Sequence, residues 1–157
     1  MDHRQETIFN LLQEFDEISK KYGIDYFIAA GTALGAIRHR GFLPWDDDMD
    51  IYLTRDNWNK LKGLVENDEI ETPENRIFVF NENTKYYRNN IPSYVNQDTS
   101  ALFMSQALNG KSLGQHLEFL ILDPMPVGEK EAMIIEGNCF PGVFQIKPSL
   151  NPKKEGE

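Results

Sequence analysis

The sequence predicts an α/β fold of the α+β kind, with a mixed central sheet flanked by helices. Three observations predict it. The spacing of apolar residues switches along the chain between a helical period of three and four and a strand period of two. The predicted order is helix, strand, short helix, strand, helix and then further strands, which suits a sheet covered by helices. The chain has 157 residues, of which 40% are hydrophobic and 11% aromatic. That is enough apolar material for one domain with its own core.

The elements follow in order. Ile8, Leu11, Leu12, Phe15 and Ile18 make one apolar stripe and predict a helix over residues 7–22. Gly23 sits where a helix C-terminal glycine belongs. Ile24 to Ala30 predicts a mostly buried strand that Gly31 breaks. Thr32 to Ile37 predicts a short helix, and His39 to Pro44 a loop punctuated by glycine and proline. Asp48 to Leu53 alternates: Met49, Ile51 and Leu53 fall on one face, Asp48, Asp50 and Tyr52 on the other. Thr54 is placed to cap a helix over 54–65, with Trp58, Leu61, Leu64 and Val65 on its apolar face. Ile77 to Phe80 and Ala101 to Met104 are short strand candidates, and residues 81–98 carry no clear period. Leu117 to Leu122 is a further strand, ended by Pro124 and Pro126. From Gly137 onward glycine and proline recur without period. The expected organisation is a folded core over 1–136 and an irregular tail over 137–157.

Composition excludes several function classes. Sixteen Lys and Arg against 25 Asp and Glu give a net charge of −9. Phosphate backbones attract basic surfaces, so nucleic acid is not an expected partner. Cys139 is the only cysteine, which excludes an intrachain disulfide, a CxxC redox pair and a cysteine-based zinc site. No apolar run approaches the ~18 residues of a spanning helix. Residues 1–6 have no apolar stretch of the kind that secretory signals carry. A cytoplasmic protein is the expectation, with peripheral membrane contact left open.

The chemistry concentrates in residues 31–51. A strand turns through Gly31 into a helix whose first N–H groups are unpaired and partly positive. Thr32 adds a hydroxyl there, making a candidate phosphate site. Taken alone, such a pair is a turn and a cap. Four carboxylates then crowd five positions: Asp46, Asp47, Asp48 and Asp50. Asp48 and Asp50 project from one strand face, near enough to share Mg²⁺ (or Mn²⁺), a hard cation that takes carboxylate oxygens. Met49 and Ile51 anchor that pair on a buried strand. Asp46 and Asp47 read as a solvated loop or rim. Arg38, His39 and Arg40 are the one dense basic run in an acidic chain. Arg38 is a candidate for bidentate phosphate binding, and favourable charge at a helix end is the simpler reading of all three. Trp45 reads as a packed loop anchor rather than a ring that stacks on a base.

Together these elements match the signature of the nucleotidyltransferase fold, and residues 31–51 resemble the LicD family more closely. In that family a strand leads into Gly-Thr/Ser-x-Leu-Gly-Ala-x-Arg-His and then Gly-Phe-x-Pro-Trp-Asp-Asp-Asp-x-Asp-Ile. The stretch Gly31 to Ile51 fits almost throughout. The family's later strand, apolar-Asp-apolar-apolar-x-Leu-Asp, is similar to Leu117 to Asp123, with Glu118 at the acidic position and Asp123 as a turn residue. The resemblance implies a metal-dependent transferase that moves a phospho-alcohol such as phosphocholine from a CDP-activated donor to a glycan or glycolipid hydroxyl, releasing CMP. It implies surface-glycan modification, in lipopolysaccharide or teichoic acid biosynthesis. Asp48, Asp50 and Glu118 would be catalytic and hold the metal, and Gly31, Thr32 and Arg38 would hold donor phosphates. Family catalytic domains continue past this length, so a short or C-terminally truncated member is implied.

Two other readings stay open at this point. One is a nucleotidyltransferase that releases pyrophosphate. The other is a non-catalytic nucleotide- or partner-binding module that keeps the fold. Tyr86, Tyr87 and Arg88 are candidates for an acceptor or head-group pocket, and His116 reads as structural.

Overall fold

A computed structural model describes residues 1–80, 91–100 and 114–124. The chain divides into two compact units, Met1–Ile121 and Leu122–Glu157. The described residues of the second are 122–124. The expected strand Ala101 to Met104, the pocket candidates Tyr86, Tyr87 and Arg88, and the expected tail 137–157 lie outside the described residues.

The first unit is helices on a five-stranded mixed sheet, as expected. In chain order the described elements are α1 (His3–Tyr22), β1 (Phe27–Ile28), α2 (Ala30–His39), β2 (Asp50–Thr54), α3 (Arg55–Glu66), β3 (Arg76–Val79), β4 (Ser93–Asn96) and β5 (Gln115–Leu122). The sheet order is β1-β2-β5-β4-β3. The strands carrying Asp50 and Glu118 are therefore neighbours, as the sequence required of a shared acid site.

α1 starts four residues earlier than the stripe predicts. Asp2 accepts from the N–H of Gln5 at 2.8 Å while the Gln5 side chain accepts from the N–H of Asp2 at 3.2 Å. That reciprocal box satisfies helix-end donors that would otherwise be orphaned. Gly23 closes the helix at φ 63°, the left-handed region that glycine enters without steric cost. Thr54 caps α3 as expected, accepting from the N–H of Asn57 at 3.4 Å.

The core lies on the face of the sheet opposite the acidic one. Ile8, Leu11, Phe15 and Ile18 of α1 and Trp58 and Leu61 of α3 pack with Met49, Ile51, Leu53, Leu117 and Phe119. The alternation read from Asp48 to Leu53 holds, with Met49, Ile51 and Leu53 all buried. Aromatic rings lock the layers: Phe15 meets Phe119 at 5.1 Å and Trp58 meets Phe80 edge-on at 4.9 Å between centroids.

Two expectations are corrected here. The buried strand Ile24 to Ala30 is only Phe27–Ile28, and both residues are exposed. β1 is an edge strand, paired only with β2 within the sheet, so its side chains lack a second layer. Nor does Gly31 break the chain before α2. The helix already starts at Ala30, at φ 41°, and continues through His39.

β4 had no sequence signal and owes its place to partners far away in the chain. The Arg76 guanidinium grips Glu14 of α1 with Nε at 2.9 Å and Nη2 at 3.1 Å. Its Nη1 donates to Asn96 at 2.9 Å, and the Tyr94 hydroxyl donates to Glu14 at 3.1 Å. This network ties α1 to β3 and β4 through a forked contact that a single-point cation cannot copy. Arg76→Ala is expected to cost about 2–3 kcal/mol in urea unfolding, because Glu14 is left partly buried without its cation. Arg76→Lys should recover less than half of that. Equal midpoints for Arg76→Ala and the parent would show that the network adds no stability.

Candidate active site

The strand expected from Asp48 starts at Asp50, so Asp48 lies just before β2, and the chain here is held from both sides. On one side the junction of β1 and α2 clamps Asp50: its carbonyl accepts from the N–H of Ala29 at 2.9 Å, and its N–H donates to Thr32 Oγ1 at 2.9 Å. On the other side the N–H of Glu118 donates to the carbonyl of Met49, between the two aspartates, at 3.0 Å. These bonds fix the backbone at Asp50 and at Glu118, which stand 68 residues apart in the sequence (118 − 50).

The charges respond to one another. Burial first, and then the nearby Asp48, Glu118 and Asp46 carboxylates, push the Asp50 carboxyl up to about 7, while His116 opposes them. Asp48 is pushed up to about 6, by desolvation first and then by Asp46, with Glu118 and Asp47 adding to it. Like charges that share a site resist ionising together. Such perturbation in a cluster is a mark of a functional site.

Asp46 corrects the sequence reading. It is not a solvated rim residue: it shares a side-chain hydrogen bond with Asp48. Its carboxylate also lies against the first turn of α2, where a Cβ on Gly31 would stand 2.5 Å from Asp46 Oδ2. A side chain at Gly31 would make that carboxylate shift. Asp47 points elsewhere and pairs with Arg4 at 2.8 Å, fastening the loop to α1.

His116 is the other residue the sequence undervalued. It is buried, with Nδ1 3.1 Å from the carbonyl of Gly114 and Nε2 3.1 Å from Glu118 Oε1. A carbonyl only accepts, so Nδ1 carries a proton. A carboxylate facing Nε2 favours a proton there too. Burial lowers its pKa, but the hydrogen bond to Glu118 and the contact with Gly114 outweigh that and raise it. The signal was present in the sequence as two polar residues, two apart, on one face of a strand.

The remaining candidates divide. Thr32 sits in the first turn of α2, tied to Asp50 as above. Arg38 is exposed in the last turn, roughly 9 Å from Thr32 along the helix axis at 1.5 Å per residue. Trp45 is 75% exposed and so is not a packed anchor. The loop that carries it is nonetheless fixed, since Gln5 Nε2 donates to the carbonyls of Leu43 at 3.3 Å and Asp46 at 3.0 Å.

The donor set of Asp48, Asp50 and Glu118 is all hard oxygen, which suits a magnesium-like cation rather than a soft one. Among the described residues no three acidic, histidine or cysteine side chains stand where they could together hold a metal ion. Two carboxylates with the remaining positions left to water and phosphate is the usual arrangement for Mg²⁺.

Comparison with known proteins agrees with this geometry. The sequence model for the LicD/FKTN/FKRP nucleotidyltransferase domain matches residues 23–115. The lipopolysaccharide cholinephosphotransferase LicD of Haemophilus influenzae is 44% identical over 57 residues, covering 36% of this chain and 22% of that protein. Uncharacterized proteins of Rickettsia prowazekii and Rickettsia typhi are each 38% identical over 64 residues, covering 41% of this chain and 20% and 17% of theirs. The match thus spans about a fifth of these curated relatives.

Proposed function

The chain belongs to the LicD family, and from that premise we propose a metal-dependent transferase that moves phosphocholine, or a similar phospho-alcohol, from a CDP-activated donor to a glycan hydroxyl. The observation that carries the reading is the pair Asp48 and Asp50 at the entry to β2, with carboxyls raised to about 6 and about 7 beside the first turn of α2. The name of the Haemophilus relative supports phosphocholine as the group and lipopolysaccharide as the acceptor. A cytoplasmic setting belongs to this reading, since nucleotide-activated donors are cytoplasmic metabolites. Among the described residues no helix is long and apolar enough to cross a membrane.

Asp48 and Asp50 would hold Mg²⁺ or Mn²⁺, with Glu118 as third ligand or as base. When bound, the metal neutralises donor phosphate charge and the charge that develops on attack. The residues supply the rest. Thr32 would donate its hydroxyl hydrogen to a phosphate oxygen, with the first N–H groups of α2 at Gly31 adding to the hold. Arg38, from the far end of α2, would meet the outer phosphate of the donor. The acceptor oxygen bonds to the phosphorus that carries the alcohol, the bond from that phosphorus to CMP breaks, and the hydroxyl proton passes to a carboxylate. Glu118, hydrogen-bonded to the His116 ring at 3.1 Å, would receive it in its role as base.

Incubation with CDP-choline, Mg²⁺ and a lipopolysaccharide acceptor should release CMP in step with choline incorporation. Pyrophosphate release from CTP in place of CMP would instead favour nucleotidyl transfer. Arg38→Ala should weaken donor binding roughly tenfold, the loss of one charge-assisted contact of ~1.4 kcal/mol, at an unchanged Tm. Arg38→Lys should restore part of it. Equal donor affinity in calorimetry would reduce Arg38 to a helix-end charge.

A further inference from the structure

α2 is an anomaly in its setting. Ala30 to Ile37 contains no charged residue, and a helix apolar all round is ordinarily buried. Yet Gly35 is its only buried residue, Leu34 is 44% exposed and Ile37 is 82% exposed. The exposure is not scattered. Of the seven large apolar side chains exposed among the described residues, five lie between positions 27 and 45: Phe27, Ile28, Leu34, Ile37 and Trp45. They come from β1, which is the edge of the sheet, from α2 and from the loop that follows it. Leu34 and Ile37, three apart, share one face of α2, and exposed apolar residues grouped in this way mark an interaction surface.

The charge beside this patch says what covers it. Arg38, His39 and Arg40 are all exposed and close the apolar helix with a basic end, in a chain whose net charge is −9. The acid cluster lies at the opposite end of α2, roughly 12 Å away along the axis at 1.5 Å per residue. Trp45 is presented from a loop held by Gln5, so its indole can enter another phase with little loss of loop freedom. Apolar side chains, an exposed tryptophan and a basic run are the pattern of an element that lies in a lipid interface.

We propose that α2 and the Trp45 loop dock this protein on an anionic phospholipid surface, through Leu34, Ile37 and Trp45 with His39 and Arg40 beside them. The inference deepens the transferase reading and rests on it for one point, that the acceptor glycan is carried by a lipid. Docked in this way, the site beside the first turn of α2 stands next to the surface that holds the acceptor. Apolar contact supplies part of the affinity, and the basic run adds a part that salt screens.

The test is flotation with vesicles of phosphatidylcholine alone and with about a third phosphatidylglycerol, without donor or acceptor. The parent chain should float with the anionic vesicles, release as salt rises, and show a blue shift in tryptophan emission that Trp45→Phe removes. Trp58 is buried at 7% exposure, so its emission should stay constant. Ile37→Glu should lower vesicle binding by about tenfold or more at an unchanged Tm, since that side chain meets solvent in the free protein. Binding no stronger to anionic than to neutral vesicles, or equal binding by Ile37→Glu, overturns the proposal. So does a dimer in sedimentation equilibrium that Ile37→Glu dissociates, because a second copy would then cover the face. Calorimetry of CDP-choline with Mg²⁺ in the absence of vesicles reports separately on the transferase reading, so a failure of one is not mistaken for failure of the other.

Discussion

Asp50→Asn should abolish transfer and, in the same preparation, make the metal-free protein more stable. The two effects have one cause. Asp50 is half-buried, and its carboxyl is raised to about 7 by burial and by Asp48, Glu118 and Asp46. The unfolded chain keeps an ordinary carboxyl near 3.8. Between those values the folded state binds more protons than the unfolded one. Stability therefore falls as pH rises through the window from about 4 to 7, and the penalty is complete above it. Asparagine keeps the shape and removes the charge, so it removes the penalty. Allowing for solvent screening of a half-exposed group, the gain at pH 8 is about 1–2 kcal/mol, or roughly 3–6 °C in Tm. At pH 4 the gain should vanish. With Mg²⁺ the order reverses: the parent chain gains stability by binding the metal, and the variant gains little. Turnover should drop by at least about 10³-fold, about 4 kcal/mol of transition-state stabilisation. Thermal melts at pH 4 and pH 8, with and without Mg²⁺, read all four arms. A variant that is less stable than the parent in metal-free buffer at pH 8, yet binds donor normally with Mg²⁺, would make the acid cluster structural.

Gly35→Ala should be the most damaging small change outside the acid site. A Cβ at Gly35 would stand 2.5 Å from the carbonyl oxygen of Gly41, 2.9 Å from the nitrogen of Leu43 and 3.2 Å from the carbonyl carbon of Phe42. All three are backbone atoms, and the loop they belong to is fastened to α1 by Gln5 and by the pair between Arg4 and Asp47. The strain therefore cannot be relieved by turning a side chain. Overpacking of this kind costs about 2–4 kcal/mol, roughly 5–12 °C in Tm for a domain of this size. The loop must also lift from α2, which carries Asp46 away from Asp48 and should weaken Mg²⁺-dependent donor binding together with stability. Gly63→Ala is the control. Nothing lies within 4 Å of a Cβ there, and the site is inside α3, so alanine should stabilise by about 0.5–1 kcal/mol. If Gly35→Ala melts with the parent, the loop does not rest on α2 as described.

What the sequence determined by itself was everything carried by a local period or a contiguous motif. The stripe of Ile8, Leu11, Phe15 and Ile18 and the alternation of Met49, Ile51 and Leu53 state which faces are buried, because burial recurs at the period of the element. Thr54 and Gly23 state where helices begin and end, because capping uses groups only a few residues apart. The run from Gly31 to Ile51, with Glu118 far downstream, was enough to mark the family. The tertiary structure alone decided what meets across the chain. β4 has four residues and no legible period, and it stands where Tyr94 and Asn96 meet Glu14 and Arg76. Asp46 joins the acids because its loop is drawn against a helix turn where glycine leaves room, and His116 becomes the partner of Glu118 because both are enclosed on one strand face. The exposure of α2 and β1 was equally illegible, since an apolar run reads as buried whether or not a second layer covers it. Local spacing encodes which side of an element avoids water, whereas pairing and covering depend on segments that are distant in sequence and become neighbours only once the chain has folded.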